Sequence, residues 1–307
     1  MVYNIAVYHQ SIPNKKNLEK IQMLQFFATG AKQCGDTINN VLDHQPVVAD
    51  VAVIQGWIAN DLSRPHLKLR NDVINQQLAQ NKYVITADSN LFLYADPTNA
   101  HHYLRYSFNG VFPNIGIYCD TAINTERWNK IQQDLKISIK DYRTAGNHIL
   151  ICLQRNGGWS MGTQSVVEWT TAVVKNLRQY TDRPIVVRAH PGDKQSRIYL
   201  KQLQTLPVTI SANKLLQDDL KGCWAVVNHN SSPVVAAAIE GYPVFVTDPE
   251  RSQCRDIANT DFSLIESPHL LERSQWVQRL AMSHWKFTEV NSGEAWAHMR
   301  QYLRDTV

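Results

Sequence analysis

Three short polar loops, each directly behind an apolar, β-branched run, carry the side chains best suited to holding an anion. The first is Gln154-Arg155-Asn156-Gly157-Gly158-Trp159-Ser160, between ILICL and a helical stretch. Glycines at the carboxyl end of a strand let a phosphate approach backbone N–H groups at a helix start. Arg155, Asn156, Gly157 and Gly158 are therefore candidates for a diphosphate, although a tight strand-to-helix turn calls for the same glycine pair. The second loop, Arg188-Ala189-His190-Pro191-Gly192, follows IVVR. Arg188 can grip phosphate oxygens through two parallel N–H bonds, and His190 can donate to the same group or to a leaving oxygen. A histidine at a strand end also serves as a structural hydrogen-bonder. The third loop runs from Asn228 through Asn230, Ser231 and Ser232 to Pro233, between WAVVN and VVAAAIE. Ser232 suits an N-cap and Pro233 the first helical turn, so the free N–H groups of this helix face the same crevice; caps of this kind open most helices.

The first half of the chain offers candidate bases at strand ends: His9, Asp88 behind YVITA, and Asp120 in YCDT. Each residue type also caps loops. No D-x-D pair occurs, so no divalent metal is expected, and a departing phosphate falls to backbone N–H groups and Arg or His.

These loops need a scaffold of parallel strands. Apolar runs at Ile5–Tyr8, Val51–Ile54, Tyr83–Thr86, Ile149–Leu153, Ile185–Arg188, Val208–Ile210, Trp224–Asn228 and Val244–Val246 predict strands, with helices between them. Leu18–Lys32 and Gly162–Arg178 carry one apolar stripe each and read as crossover helices. Ser89–Gly116 has little periodicity and reads as a long irregular arm. The tail Ser267–Val307 reads as helical, packed through Trp276, Leu280, Trp285, Trp296 and Tyr302. DYRTAGN, at Asp141–Asn147, is rich in turn formers and marks a boundary, giving domains 1–146 and 147–307.

A chain of 307 residues with 44% hydrophobic and 19% charged residues fits two globular domains. No apolar run reaches the roughly 18–20 residues of a membrane span, and MVYNIAVYHQ lacks a signal-peptide pattern, so a cytoplasmic location is expected. Cys34, Cys119, Cys152, Cys223 and Cys254 form no C-x-x-C pair and read as buried thiols. The 31 basic and 27 acidic residues give +4, which permits an anionic partner without demanding one.

VVRAHPGDK, followed by WAVVNHNSSPVVAAAIEGYPVFVTDP, resembles the C-terminal half of bacterial capsule polysaccharide synthesis proteins, the group that includes Kdo transferases. HWKFTEVNSGEAW resembles the closing helical stretch of the same group, and the likeness spans roughly residues 149–300. It implies an α/β, GT-B-like fold of two Rossmann-like domains facing a central cleft, with C-terminal helices. It further implies a glycosyltransferase that takes a nucleotide-sugar co-substrate and no other cofactor, with an N-terminal acceptor domain and a C-terminal donor domain. Carried over residue by residue, His190, Asn230, Ser231 and Ser232 contact the donor phosphates, with Arg188 nearby. The group's helix glutamate, four residues past the second Ser, is Ala236 here; the only carboxylate on that helix is Glu240, and ribose recognition is unassigned. The group's acidic-Gly stretch has its nearest counterpart in Phe108-Asn109-Gly110.

The acceptor implied is a bacterial or phage-associated glycan. A second acceptor is DNA with hydroxymethylated bases, gripped by Lys15, Lys16, Arg64, Lys68 and Arg70, with Trp57, Trp159 or aromatics of the Ser89–Gly116 arm stacking on a flipped base. A sugar-nucleotide epimerase and a non-catalytic sugar-nucleotide-binding protein are the other readings.

Overall fold

The computed structural model describes residues 1–13, 18–58, 62–92, 99–156 and 159–303. The chain forms two compact units: Met1–Asn90, Tyr94–Lys136 and Val277–Val307 make one, Leu91–Leu93 and Ile137–Trp276 the other. This division differs from 1–146 and 147–307 at both ends of the second unit.

The first unit is built on a six-stranded sheet. β1 (Asn4–Tyr8), β2 (Thr37–Val41), β3 (Val51–Gln55) and β4 (Tyr83–Ser89) run parallel, and β5 (Tyr103–Phe108) and β11 (His284–Lys286) are each antiparallel to their neighbour, in the order β11-β5-β4-β3-β1-β2. β5 lies inside the stretch expected to be an irregular arm. Its Leu104, Tyr106 and Phe108 enter the core while Arg105 and Ser107 are buried as well, so the two-residue alternation does not show as apolar against exposed. The tail is likewise not all helix: β11 is an edge strand, followed by α9 (Phe287–Asn291) and α10 (Glu294–Met299).

α1 (Leu18–Gln33) buries Met23, Leu24, Phe27 and Ala31 against this sheet. It also lies close to α9, which Gly30 allows: a Cβ there would fall 2.0 Å from Val290 O. Trp296 of α10 is fully buried among Tyr3, Phe27 and Phe108 and donates through Nε1 to Asp36, whose other oxygen accepts from Tyr3 N at 2.9 Å. Truncating a buried Trp of this kind typically costs about 3–5 kcal/mol, so residues 277–303 are integral to the first unit's core.

The second unit is a five-stranded, all-parallel sheet of β6 (His148–Cys152), β7 (Ile185–Arg188), β8 (Thr209–Ile210), β9 (Cys223–Asn228) and β10 (Val244–Val246), in the order β10-β9-β6-β7-β8. α4 (Val166–Leu177), α5 (Ser196–Leu203), α6 (Leu216–Leu220) and α7 (Pro233–Ile239) connect these strands. α4 starts at Val166, four residues later than the stripe suggested. The unit takes in Ile137–Asn147 because that segment is bonded to it. Lys140 N donates to Ile239 O and Arg143 N to Gly241 O, both at 2.8 Å, and the Arg273 guanidinium lies 3.7 Å from the Tyr142 ring centre. Four of the five cysteines are buried, Cys34 partly, and all are free.

Candidate functional site

The second sheet starts in its middle. From β6 the chain steps outward to β7 and β8, then returns to the other side of β6 as β9 and β10. The crevice beyond the carboxyl ends of β6 and β9 is therefore the topological switch point, where open parallel sheets take their ligands.

Its floor is a closed polar network. Gln154, just past β6, donates through Nε2 to Asn230 Oδ1 at 2.9 Å, and the Asn230 N–H donates back to Gln154 Oε1 at 3.1 Å. Asn230 Nδ2 donates to Asp248 Oδ2 at 2.9 Å and to Ser160 O at 3.2 Å. Both amides are buried, and the bonds orient them, which fixes the spacing of the loops behind β6, β9 and β10. Beside them Trp169 Nε1 donates to Thr247 Oγ1 at 2.8 Å, and His229 Nδ1 lies 2.8 Å from the same hydroxyl, with Nε2 3.7 Å from Asp248. Burial lowers the His229 pKa and Arg251 adds to this, against the opposing pull of Asp248.

The loop behind β7 brings His190 to Arg155. A Cβ on Gly192 would meet Arg155 Nη2 at 2.8 Å and the His190 ring at 3.2 Å. His190 Nδ1 accepts the Gly192 N–H at 3.0 Å, so the neutral ring carries its proton on Nε2. Burial lowers its pKa, Arg155 lowers it further, and Asp193 opposes. His190 thus presents a neutral N–H donor beside an exposed guanidinium.

Several expected roles change. Arg188 is buried and engaged by the protein itself: it pairs with Asp219 and donates to the carbonyls of Asn213 (3.0 Å), Lys214 (2.7 Å) and Leu215 (3.2 Å). With its donors engaged this way, it clamps the 213–219 segment. Asn156 is committed locally too, accepting from Val166 N at 3.1 Å through Oδ1 and donating its backbone N–H to Asp193 Oδ2 at 2.8 Å. With Ser165 and Glu168 forming a capping box, the first turn of α4 is filled by the protein's own side chains. Gly157 and Gly158 lie outside the described residues. Ser231 accepts from Asn228 Nδ2 at 2.7 Å, and Ser232 sits at the N-cap position of α7 without a side-chain cap bond, in helical φ/ψ.

In the first unit His9 follows β1, and its Nε2 lies 2.9 Å from Asn40 Oδ1. That carbonyl oxygen only accepts, so in the neutral ring Nε2 is the N–H and Nδ1 the lone pair. His9 lines a cavity of about 560 Å³ with Gln10, Ile12, Gln25, Asn40 and Leu42. Asp88 lies within β4, near its carboxyl end, paired across the strands with Arg105 at 3.0 Å. Asp120 is not brought to them: the chain leaves β5 at the amino edge of the parallel strands, where Phe108 pairs with Ile117. Asn109 belongs to that same edge, with φ 58° and its Oδ1 accepting from Val84 N at 3.0 Å, so Phe108–Gly110 is a structural turn.

No protein-family profile matches the chain, and no curated protein matches it in sequence. Solved structures do. The Thermosulfurimonas dismutans KpsC beta Kdo 2,7 transferase aligns with a TM-score of 0.53 at 14% identity, over 99% of this chain and 100% of that one. The beta Kdo 2,4 transferase of the same organism's KpsC aligns at 0.52 and 14%, over 87% and 90%.

The chain has a GT-B-type fold.

Thr247 and Asp248, outside the three loops read from the sequence, join this crevice, and within those loops Gln154 and His229 take up contacts that the sequence reading did not assign them. Asp248 had a signal, since it follows VFVT at a strand end in the same way that His190 follows IVVR. Gln154 had one only in retrospect, because an amide shows its role through its partner. Among the described residues no three His, Cys, Asp or Glu side chains converge as around a metal ion, and no helix is long and apolar enough to cross a membrane.

Proposed function

We propose that the chain is a glycosyltransferase that binds a nucleotide sugar at the carboxyl edge of the second unit and transfers the sugar to a hydroxyl of a glycan. The observation that carries this is the amide network of Gln154, Asn230 and Asp248, placed at the switch point of a GT-B-type unit with His190 and Arg155 beside it.

The roles follow from the donors available. His190 Nε2–H and the Arg155 guanidinium stabilise the departing phosphate, worth most where charge builds up as the sugar–phosphate bond breaks. Ser232, whose side chain makes no cap bond, donates to the same group. Asn230 and Ser231 shape the loop. Arg188 has no place in this donor set. For an inverting transfer, His9 Nδ1 takes the acceptor's hydroxyl proton while Asn40 holds the ring in that tautomer. The acceptor oxygen bonds to the anomeric carbon, and the nucleotide leaves with the bonding pair and its phosphate charge. Asp88 is the alternative base, but its carboxylate is already engaged by the Arg105 guanidinium at 3.0 Å. The phosphate contacts assigned here are all protein side chains, and the reaction is proposed to run without a divalent ion.

The geometry favours a glycan over DNA. Arg70 is buried and Lys68 pairs with Asp72, which leaves Arg64 as the exposed, unpaired cation among the described members of the expected basic set; Lys15 and Lys16 fall outside the described residues, as does the Trp159 side chain. A panel of nucleotide sugars, scored by thermal stabilisation and then by release of free nucleotide on adding glycan or hydroxymethylated DNA, tests the reading. Stabilisation by one nucleotide sugar and glycan-dependent release are expected. No stabilisation by any member refutes it, and release with modified DNA alone replaces the glycan.

A further inference from the structure

Arg70, on the buried face of α2 (Pro65–Ala79), is 8% exposed and has no carboxylate within ion-pair distance among the described residues. Its Nε donates to Ser11 O at 2.9 Å and its Nη2 to Gln55 Oε1 at 2.8 Å, both neutral acceptors. Nη1 makes no hydrogen bond among the described residues. It lies against Gly56, the residue directly after β3, where a Cβ would come within 2.8 Å of Nη1 and where φ is 80°. Glycine is thus required twice over, for the left-handed turn and for keeping the space beside Nη1 open.

This position is the first unit's own switch point. The order β2-β1-β3-β4 reverses between β1 and β3, and Ser11 and Gln55 belong to the carboxyl ends of those two strands. The surroundings carry surplus positive charge. Arg105 is buried, bonds Asp88 through Nη2 and leaves Nε without a hydrogen-bond partner among the described residues. Of the two buried guanidinium groups, only Arg105 pairs with a carboxylate among the described residues. Burial lowers the pKa of His66, and Arg70, Arg64, Lys20 and His44 all lower it further, a sign of the positive potential at the start of α2. Burial brings Arg70 itself down to about 10, with only Asp88 opposing from beyond ion-pair distance, so the group stays charged with no ion-pair partner among the described residues. Proteins seldom bury a charge in this way unless something pairs with it.

We propose that the carboxyl edge of the first unit's sheet is an oxyanion site, in which Arg70 Nη1 donates to a carboxylate or phosphate group carried by a bound molecule. That this molecule is the acceptor, and hence an acidic glycan, rests on the glycosyl-transfer reading; the anion site stands on the first unit alone.

The test titrates the full chain with inorganic phosphate and, separately, with glucuronate, at ionic strength held constant with chloride, reading thermal stabilisation and heats of binding. Saturable stabilisation by one of the two is expected. Phosphate alone points to a phosphorylated ligand, glucuronate alone to a uronic-acid-like one. Arg70→Gln should weaken binding by about tenfold or more, the loss expected of a charge-assisted contact. Lys68→Ala should leave it unchanged. Should Arg70→Gln fail to fold, wild-type crystals soaked in selenate must show anomalous density within hydrogen-bond distance of Arg70 Nη1. Stabilisation no greater than that of chloride, equal binding by folded Arg70→Gln, or selenate found only elsewhere overturns the site. A protein that binds nucleotide sugar but neither anion loses this site and keeps the transferase reading; one that binds an anion through Arg70 but no nucleotide sugar does the reverse.

Discussion

Replacing Asn230 by Ala removes three hydrogen bonds from the floor of the second unit's crevice at once. The contacts with Gln154 Nε2 (2.9 Å) and Ser160 O (3.2 Å) are worth about 1 kcal/mol each, and the contact with the Asp248 carboxylate (2.9 Å) about 2 kcal/mol. Their sum of about 4 kcal/mol is a large share of the roughly 5–15 kcal/mol that holds a domain folded. Urea unfolding followed through Trp169 and Trp224, which lie in the second unit, should show a loss of that size. Nucleotide-sugar stabilisation should vanish, because the loops behind β6, β9 and β10 lose their common anchor. Asn230→Asp sharpens the point: it keeps the shape but sets a second carboxylate against Asp248, so one of the pair is driven to hold a proton. A carboxyl whose folded pKa is raised destabilises above its unfolded pKa, so this deficit should shrink as the pH falls below about 5. An Asn230→Ala protein that loses less than about 1 kcal/mol, or that binds nucleotide sugar as wild type does, would show that the network does not organise the site.

Arg188→Met leaves Asp219 buried without its partner and should cost about 3–5 kcal/mol in the second unit; a fall in nucleotide-sugar affinity at unchanged stability would return Arg188 to the ligand. Burial pushes His284 down to about 3, opposed by its bond to Leu280 O and aided by Arg105 and Arg127. With a folded pKa below the unfolded value of about 6.5, the unfolded chain binds the extra proton, so stability is present above pH 6.5 and falls toward acid, by about 2 kcal/mol at pH 5. Unfolding titrations at pH 7 and pH 5 measure this, and His284→Gln should flatten the difference. Treatment with EDTA should leave nucleotide release unchanged, a direct test of metal-free transfer.

The sequence showed the strands most clearly where a strand is apolar throughout. VAVIQ and ILIC are covered on both faces, and their runs are continuous. β5 escaped notice because Arg105 and Ser107 sit on its second face, buried by partners far away in the chain. β2, TINNV, has one buried residue and lies at the sheet edge, so it carries almost no apolar signal. Position proved easier to read than direction. Arg188 and His190 both stand at the end of β7, yet one turns inward to Asp219 and the other presents Nε2–H; only the Gly192 N–H, the carbonyls of 213–215 and the Asp219 carboxylate decide between them. The parallel α/β alternation was legible because it is local, and the GT-B-type fold came from the resemblance of two segments, whereas the amide network joins residues 76 apart and cannot be read from spacing.

The return of residues 277–303 to the first unit has a consequence for how the protein is made. Ribosomal synthesis proceeds at about 5–20 residues per second, so some 10–30 s separate the appearance of β5 from that of the strand that pairs with it, β11. Until then the flank of β5 offers unpaired N–H and C=O groups to any other nascent chain, and the pocket for Trp296 stands empty. The first unit's sheet is therefore completed only after the whole second unit has been made. A chain cut before β11, or one in which residues 277–303 are held away from the first unit, should aggregate even though every residue of the proposed nucleotide-sugar crevice is present.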